Sequence, residues 1–206
     1  RVFKMNKGEL RTHFKNLLNR SDCSDALADT FISQSITRME RNLRIPAMEK
    51  THTYTISAAT TELTIPVDFL EIIGLHHGNT NLSRLSLAKF IETEEGNENG
   101  TPRFFCRQVD KFSIYPYPTS GTVVLTYYAS FPALATDSDS HGLTTIASDM
   151  IVYGALVYAA DYFLDERGQL FEGKFQQGVS EIQSYAHDDE ISGTVQAIQP
   201  TATFIE

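Results

Sequence analysis

The chain has 206 residues, 41% of them hydrophobic, with a formal charge of −9 and an isoelectric point near 5.1. That length suits one domain, or a core with a large insertion, and can bury an apolar interior. The acidic balance argues against non-specific duplex binding as the main task, and two cysteines, Cys23 and Cys106, are too few for a disulfide framework and lack metal-ligand spacing, which points to a reducing compartment.

The chain opens on Arg1 without a signal-peptide pattern, so an initiator residue is expected upstream. Leu10, Phe14, Leu17 and Leu18 recur at helical spacing and predict a helix from Asn6 to Asn19. A turn follows, in which Ser24 or Asp22 can cap the next helix through its free backbone N–H groups. That helix is predicted to reach about Leu43, with Leu27, Phe31, Ile32, Ser35, Ile36, Met39 and Leu43 covering one broad face, and Pro46 stops it.

From Thr51 to Phe131 the spacing becomes strand-like. Tyr54 and Ile56 alternate with Thr53, Thr55 and Ser57, and Leu63, Ile65 and Phe69–Ile73 follow. Ser86–Glu92 reads as one short helix, and Glu92–Gly100 as an acidic, mobile loop. Arg103–Tyr115 and Thr122–Phe131 read as a strand pair joined by Pro116–Gly121. The aromatics Phe104, Phe105, Phe112, Tyr115, Tyr127 and Tyr128 are numerous enough for a small sandwich or barrel.

The chain turns helical again after Asp137–Gly142. Asp149–Leu164 is apolar nearly all round and predicts the central helix of a bundle. Its core, Met150–Ala160, is the longest apolar run, contains Gly154 and is too short to span a bilayer. Gly168 is expected in a helix-ending position. Leu170, Phe171, Phe175, Val179, Ile182 and Tyr185 mark a last helix. The tail that follows is rich in Gly, Thr and Pro yet carries Val195, Ile198, Phe204 and Ile205, a pattern that suits either a segment ordered on another subunit or a disordered end. The fold class is therefore α+β: an antiparallel bundle of two N-terminal and two C-terminal helices from residues 1–50 and 133–190, an inserted β-rich sandwich- or barrel-like subdomain at 51–132, and an extended tail at 191–206.

Chemistry-bearing motifs are sparse. Asp137-x-Asp139-x-His141-Gly142 imitates the first half of a calcium loop, but the twelfth position is Ser148 where a bidentate glutamate is needed, so a turn preceding a helix is expected. His76 and His77 are adjacent, would point to opposite faces of a strand, and cannot readily share one metal. Cys106 has Arg107 beside it but no nearby histidine to act as base, and reads as a core cysteine. Glu92, Glu94, Glu95 and Glu98 could supply the carboxylate pair of a glycosidase, about 5–10 Å apart, yet all sit on one loop that would position them poorly. Walker, G-x-S-x-G, G-x-G-x-x-G and H-E-x-x-H patterns are missing. No cofactor and no metal are expected.

Arg38, Arg41 and Arg44 stand at three-residue steps and form a slanting basic ridge near a helix end. The helix dipole and a Glu40–Arg44 pair account for part of it. Arg38, however, falls inside the apolar face beside Leu27 and Phe31 and requires a carboxylate from this chain or another.

Leu18-Asn-Arg-Ser-Asp22, then Arg38-Met-Glu-Arg-Asn-Leu-Arg-Ile-Pro-Ala-Met48, Leu63-Thr-Ile-Pro-Val-Asp-Phe-Leu-Glu71 and Phe171-Glu-Gly-Lys-Phe-Gln-Gln177 come in the order found in phage head-to-tail adaptors. The chain resembles those adaptors, particularly the short-tailed type that docks beneath the portal ring. The resemblance implies a non-enzymatic virion protein made in the host cytoplasm and placed at the head–tail junction. It would form a homo-oligomeric ring of about twelve copies closed by heterologous contacts, bound to the portal protein above and a tail or nozzle protein below. DNA would pass through its channel without specific binding, and no membrane would be involved. Residues assigned to its interfaces are Arg38, Arg41, Arg44, Phe175, Val195, Ile198, Phe204 and Ile205, with the helices Thr30–Leu43 and Leu170–Tyr185 as the two patches. The alternatives are a glycan-cleaving virion enzyme using Glu94 or Glu95, and a DNA-binding terminal factor.

Overall fold

The computed structural model describes residues 4–57, 60–96 and 98–191, the side chains of 187–191 excepted. Among them are six α-helices and two four-stranded sheets, an α+β protein. The chain divides into two compact units, each assembled from two separate stretches: Arg1–Leu10 with Arg44–Ser148, and Arg11–Leu43 with Asp149–Glu206.

The first unit is mainly β. One sheet has the order β1 (Glu49–Ile56), β8 (Gly121–Ala129), β3 (Phe69–His77), β4 (Thr80–Asn81). The other has the order β2 (Glu62–Thr64), β7 (Lys111–Tyr115), β6 (Phe104–Gln108), β5 (Ser83–Arg84). Period-two burial along β8, with Val123, Leu125, Tyr127 and Ala129 inward, meets Leu63, Phe105, Phe112 and Ile114 from the second sheet in one shared core. A short helix, α3 (Leu87–Glu94), is capped by the Ser86 hydroxyl and buries Phe90 against Cys106 and Tyr115.

The strand pairing differs from expectation at one place. Arg103–Tyr115 is itself a hairpin, β6 and β7 joined at Val109-Asp110, and β8 belongs to the opposite sheet between β1 and β3. Val109 takes φ +52°, a left-handed position normally given to Gly or Asn, so the turn leaves no sequence signal.

This unit also holds the start of α1 (Lys7–Leu18). Asn6 and Glu9 form a reciprocal cap, both bonds 2.9 Å, and two further N–H groups of the first turn donate to the carbonyls of Asp139 and Asp137, each at 3.0 Å. The calcium-like stretch is thus a turn that receives a helix N-terminus. Asp139 accepts from the Thr136 backbone and hydroxyl, and His141 caps α4 (Gly142–Ile146) while its ring stacks on Phe131.

The second unit is helical: the body of α1, α2 (Asp25–Asn42), α5 (Ser148–Phe163) and α6 (Gly168–Ile191). Ser24 caps α2 by accepting from Leu27, and the helix ends before Pro46. Phe14, Phe31, Ile32, Met39, Leu156 and Phe175 lie in the core. Gly154 on α5 lets helices approach closely, since a Cβ there would stand 2.2 Å from Ser35 Oγ and 2.8 Å from the Phe175 ring. The α5 terminus departs from expectation. Leu164, not Gly168, takes the left-handed position (φ +54°), Asp165 N–H returns to Ala160 O at 2.8 Å, and Gly168 opens α6. No helix among the described residues is long and apolar enough to cross a membrane.

Candidate interaction surface

Arg38 finds its partner inside its own unit. Its guanidinium makes a two-pronged pair with Glu172 of α6, at 2.8 and 2.6 Å, and lies 4.4 Å over the Phe175 ring. The pair holds Glu172 below the usual carboxylate range. The demand that made Arg38 a candidate contact is met by a carboxylate 134 positions away. Glu172 and Phe175, one helical step apart, form the cradle that sequence reading missed; the signal was present as an acidic residue three before an aromatic on an amphipathic helix. Phe175 is fully buried there and packs within the unit.

Arg44 reaches Glu71 at 2.6 Å and sits over Tyr128. Arg41 is exposed. The two helices assigned as interface patches are joined to one another, by Arg38 with Glu172 and by the Gln183 amide donating to Asn42 O at 3.0 Å, so only their outward sides remain for other contacts. Val195, Ile198, Phe204 and Ile205 lie outside the described residues.

Elsewhere the ionic groups are also spent locally. Arg167 clasps Asp165, holding its carboxyl down to about 2, and donates to the Leu17 and Leu18 carbonyls that α1 leaves free at its end. Arg11 makes a two-pronged pair with Asp29. Glu92 pairs with Lys89, and Glu94 accepts the Tyr117 hydroxyl, which burial and that carboxylate push up to about 12. Glu94 thus ties α3 to the loop after β7. Burial raises the Cys106 thiol and Gln108 lies against its sulfur, so it is a core cysteine without an activating neighbour among the described residues. His77 sits at a strand end and faces Ser120 O at 3.2 Å. Among the described residues no cluster of His, Cys, Asp and Glu could hold a metal ion.

What the surface offers is apolar side chains. On the first unit Val67 is fully exposed at the turn before β3 and Val109 is 89% exposed at the β6–β7 turn; Leu87 and Ile91, four apart, form an exposed stripe on α3. On the second unit Tyr162, Leu164 (89% exposed) and Leu170 surround the α5–α6 turn, and Tyr185 projects from α6. Val109 and Leu164 hold left-handed backbone conformations and present apolar side chains to water there, two local costs at once.

The chain matches the SU10 adaptor protein family over residues 5–198. It belongs to that family. No curated protein matches it. An SU10 adaptor protein is a structural component of the phage particle, and the surface described suits that class: apolar side chains are held outward at turns, while Arg38 and Arg44 are paired within their own units.

Proposed function

We propose that the protein is a head-to-tail adaptor that forms a ring beneath the portal, extends the DNA channel and provides the attachment site for the tail. One observation carries this reading beyond the family match. Val109 and Leu164 keep apolar side chains at strained, exposed turn positions where Gly or Asn would cost less. Such a placement is explained when the side chain becomes buried in an assembly. A ring needs two different patches on each copy, one meeting the other on the next copy. Arg41, the outward sides of α2 and α6, and the α5–α6 turn are the residues of the second unit we assign to those patches. The net charge of −9 suits a channel through which DNA slides without adhering.

The test is native mass spectrometry of the chain alone and with purified portal rings. A stoichiometric ring of copies on each portal is expected. A chain that stays monomeric beside the portal at micromolar concentration overturns the reading.

A further inference from the structure

Sheet edges are where backbone hydrogen-bonding capacity is left unspent. In the order β1-β8-β3-β4, β1 has a neighbour on one side only, so alternate N–H and C=O groups along its other side point away from the sheet. The other edges among the described strands are short or broken: β5 has two residues and β2 three, and the outer side of β3, which β4 covers only at His76 and His77, is interrupted by two register shifts. β1 runs for eight, with Glu49 to Thr53 and Thr55 exposed. The devices that normally blunt an edge are missing from most of it. Its register with β8 is unbroken by a bulge, it contains no proline, and its two charged residues, Glu49 and Lys50, stand at the first two positions. The remainder, from His52 to Ile56, is rich in β-favouring Thr, Tyr and Ile.

Beside that neutral half lies an open groove of about 600 Å³. Its opposite bank alternates Leu63, Ile65 and Val67 with the polar Glu62 and Thr64, and the Tyr54 hydroxyl donates to Thr64 O at 2.7 Å to join the two banks. A bare strand edge beside an apolar trough fits an extended peptide, which takes main-chain hydrogen bonds from the edge and places alternate side chains in the trough.

We propose that β1 accepts an added strand, and that the occupant is the segment 192–206 of another copy of this chain. The described chain ends at Ile191 of α6, and the residues beyond it number fifteen. They include Thr194, Val195, Ile198, Thr201, Thr203, Phe204 and Ile205, and their one charge is Glu206. A neutral, β-favouring segment thus meets a neutral, β-favouring edge. After Pro200, Ala202 and Phe204 alternate with Thr201, Thr203 and Ile205, so one face of an added strand would turn Ala202 and Phe204 to the trough. Fifteen extended residues reach about 50 Å against about 26 Å for β1, which leaves length to cross between copies.

The inference rests on the reading that copies of this chain meet, and hydrogen exchange on the full chain tests it. On going from dilute monomer to assembly, amides within residues 49–56 should slow roughly tenfold or more. Thr203→Pro, which removes a donor from the tail, should abolish both the slowing and the assembly. Mixing the Thr203→Pro chain with a Thr53→Pro chain should restore one productive contact, read as a dimer mass, because each retains the half that the other lacks. Fast β1 exchange in the assembled state overturns the proposal, as does normal assembly of the Thr203→Pro chain. Protection already present in the dilute monomer overturns it too, since the chain's own tail would then be the occupant. Protection that the portal gives to the Thr203→Pro chain assigns the edge to a portal segment and equally overturns it. A ring on the portal with fast β1 exchange refutes the strand alone, whereas β1 protection in free oligomers that ignore the portal supports the strand and refutes the portal reading.

Discussion

Single residues show how the helical unit resolves an awkward sequence. Arg38 sits on an apolar face because Glu172 and Phe175 together form a socket for it, a paired charge with a ring beneath. Arg38→Ala should cost about 2 kcal/mol by leaving Glu172 partly buried and unpaired, and Arg38→Lys should recover only part of that, since lysine lacks the fork and the stacking plane; denaturant midpoints check both. Ser35 makes the opposite case. Its hydroxyl is buried without a hydrogen-bond partner among the described residues, so Ser35→Ala should raise stability by up to about 1 kcal/mol. Gly154→Ala should lower it by more than about 2 kcal/mol, because the new methyl meets Ser35 and the Phe175 ring at impossible distances. The pH response is set partly by His141. Burial holds its imidazole below the ordinary value of 6.5, and its Nδ1 must stay unprotonated to accept the Thr144 N–H. The unfolded chain then takes up a proton at a pH where the folded chain does not, so stability is complete above about 6.5 and falls as pH drops below it. Thermal midpoints at pH 7 and 5.5 should differ, and His141→Asn, which can still cap, should lessen that difference.

Two turns explain where elements stop, and each stops with an apolar residue in a left-handed conformation. Val109→Asn and Leu164→Gly should each raise the stability of the isolated chain by about 1 kcal/mol, by relieving strain. If those side chains serve assembly, both variants should also bind more weakly to the portal, a pairing of effects that a purely structural role would not produce; melting curves beside pull-down on portal rings read both. These same turns mark what was hidden in the sequence. Helices with strong periodicity and ordinary caps, such as α2 with Ser24 and Leu27, were legible from spacing alone, because burial and capping are local demands. The β6–β7 hairpin is not, since Val109 carries no turn chemistry, and without it spacing pairs β8 with Arg103–Tyr115 instead of with β1 and β3. Gly168 reads as a helix end for the same reason: the chain places Leu164 where glycine would be least strained. At the candidate surface, the ridge of Arg38, Arg41 and Arg44 was visible, but the carboxylates that satisfy Arg38 and Arg44 come from distant segments that no periodicity connects to them.

At the scale of the whole molecule, neither unit is a continuous piece of chain. The helical unit draws on Arg11–Leu43 and on the helices α5 and α6 together, with most of the β-rich unit written between them. Order of synthesis then matters. Phe14 and Phe31, which end in one core beside α5 residues, leave the ribosome more than a hundred positions before those residues exist. At ordinary translation rates that gap lasts on the order of ten seconds. Through that interval the nascent amino-terminal hairpin carries greasy side chains with nothing to cover them, a ready target for a host chaperone. A circularly permuted gene that opens near residue 44, so that residues 1–43 follow closely after α5 and α6, should therefore yield more soluble protein in chaperone-depleted cells than the natural order does.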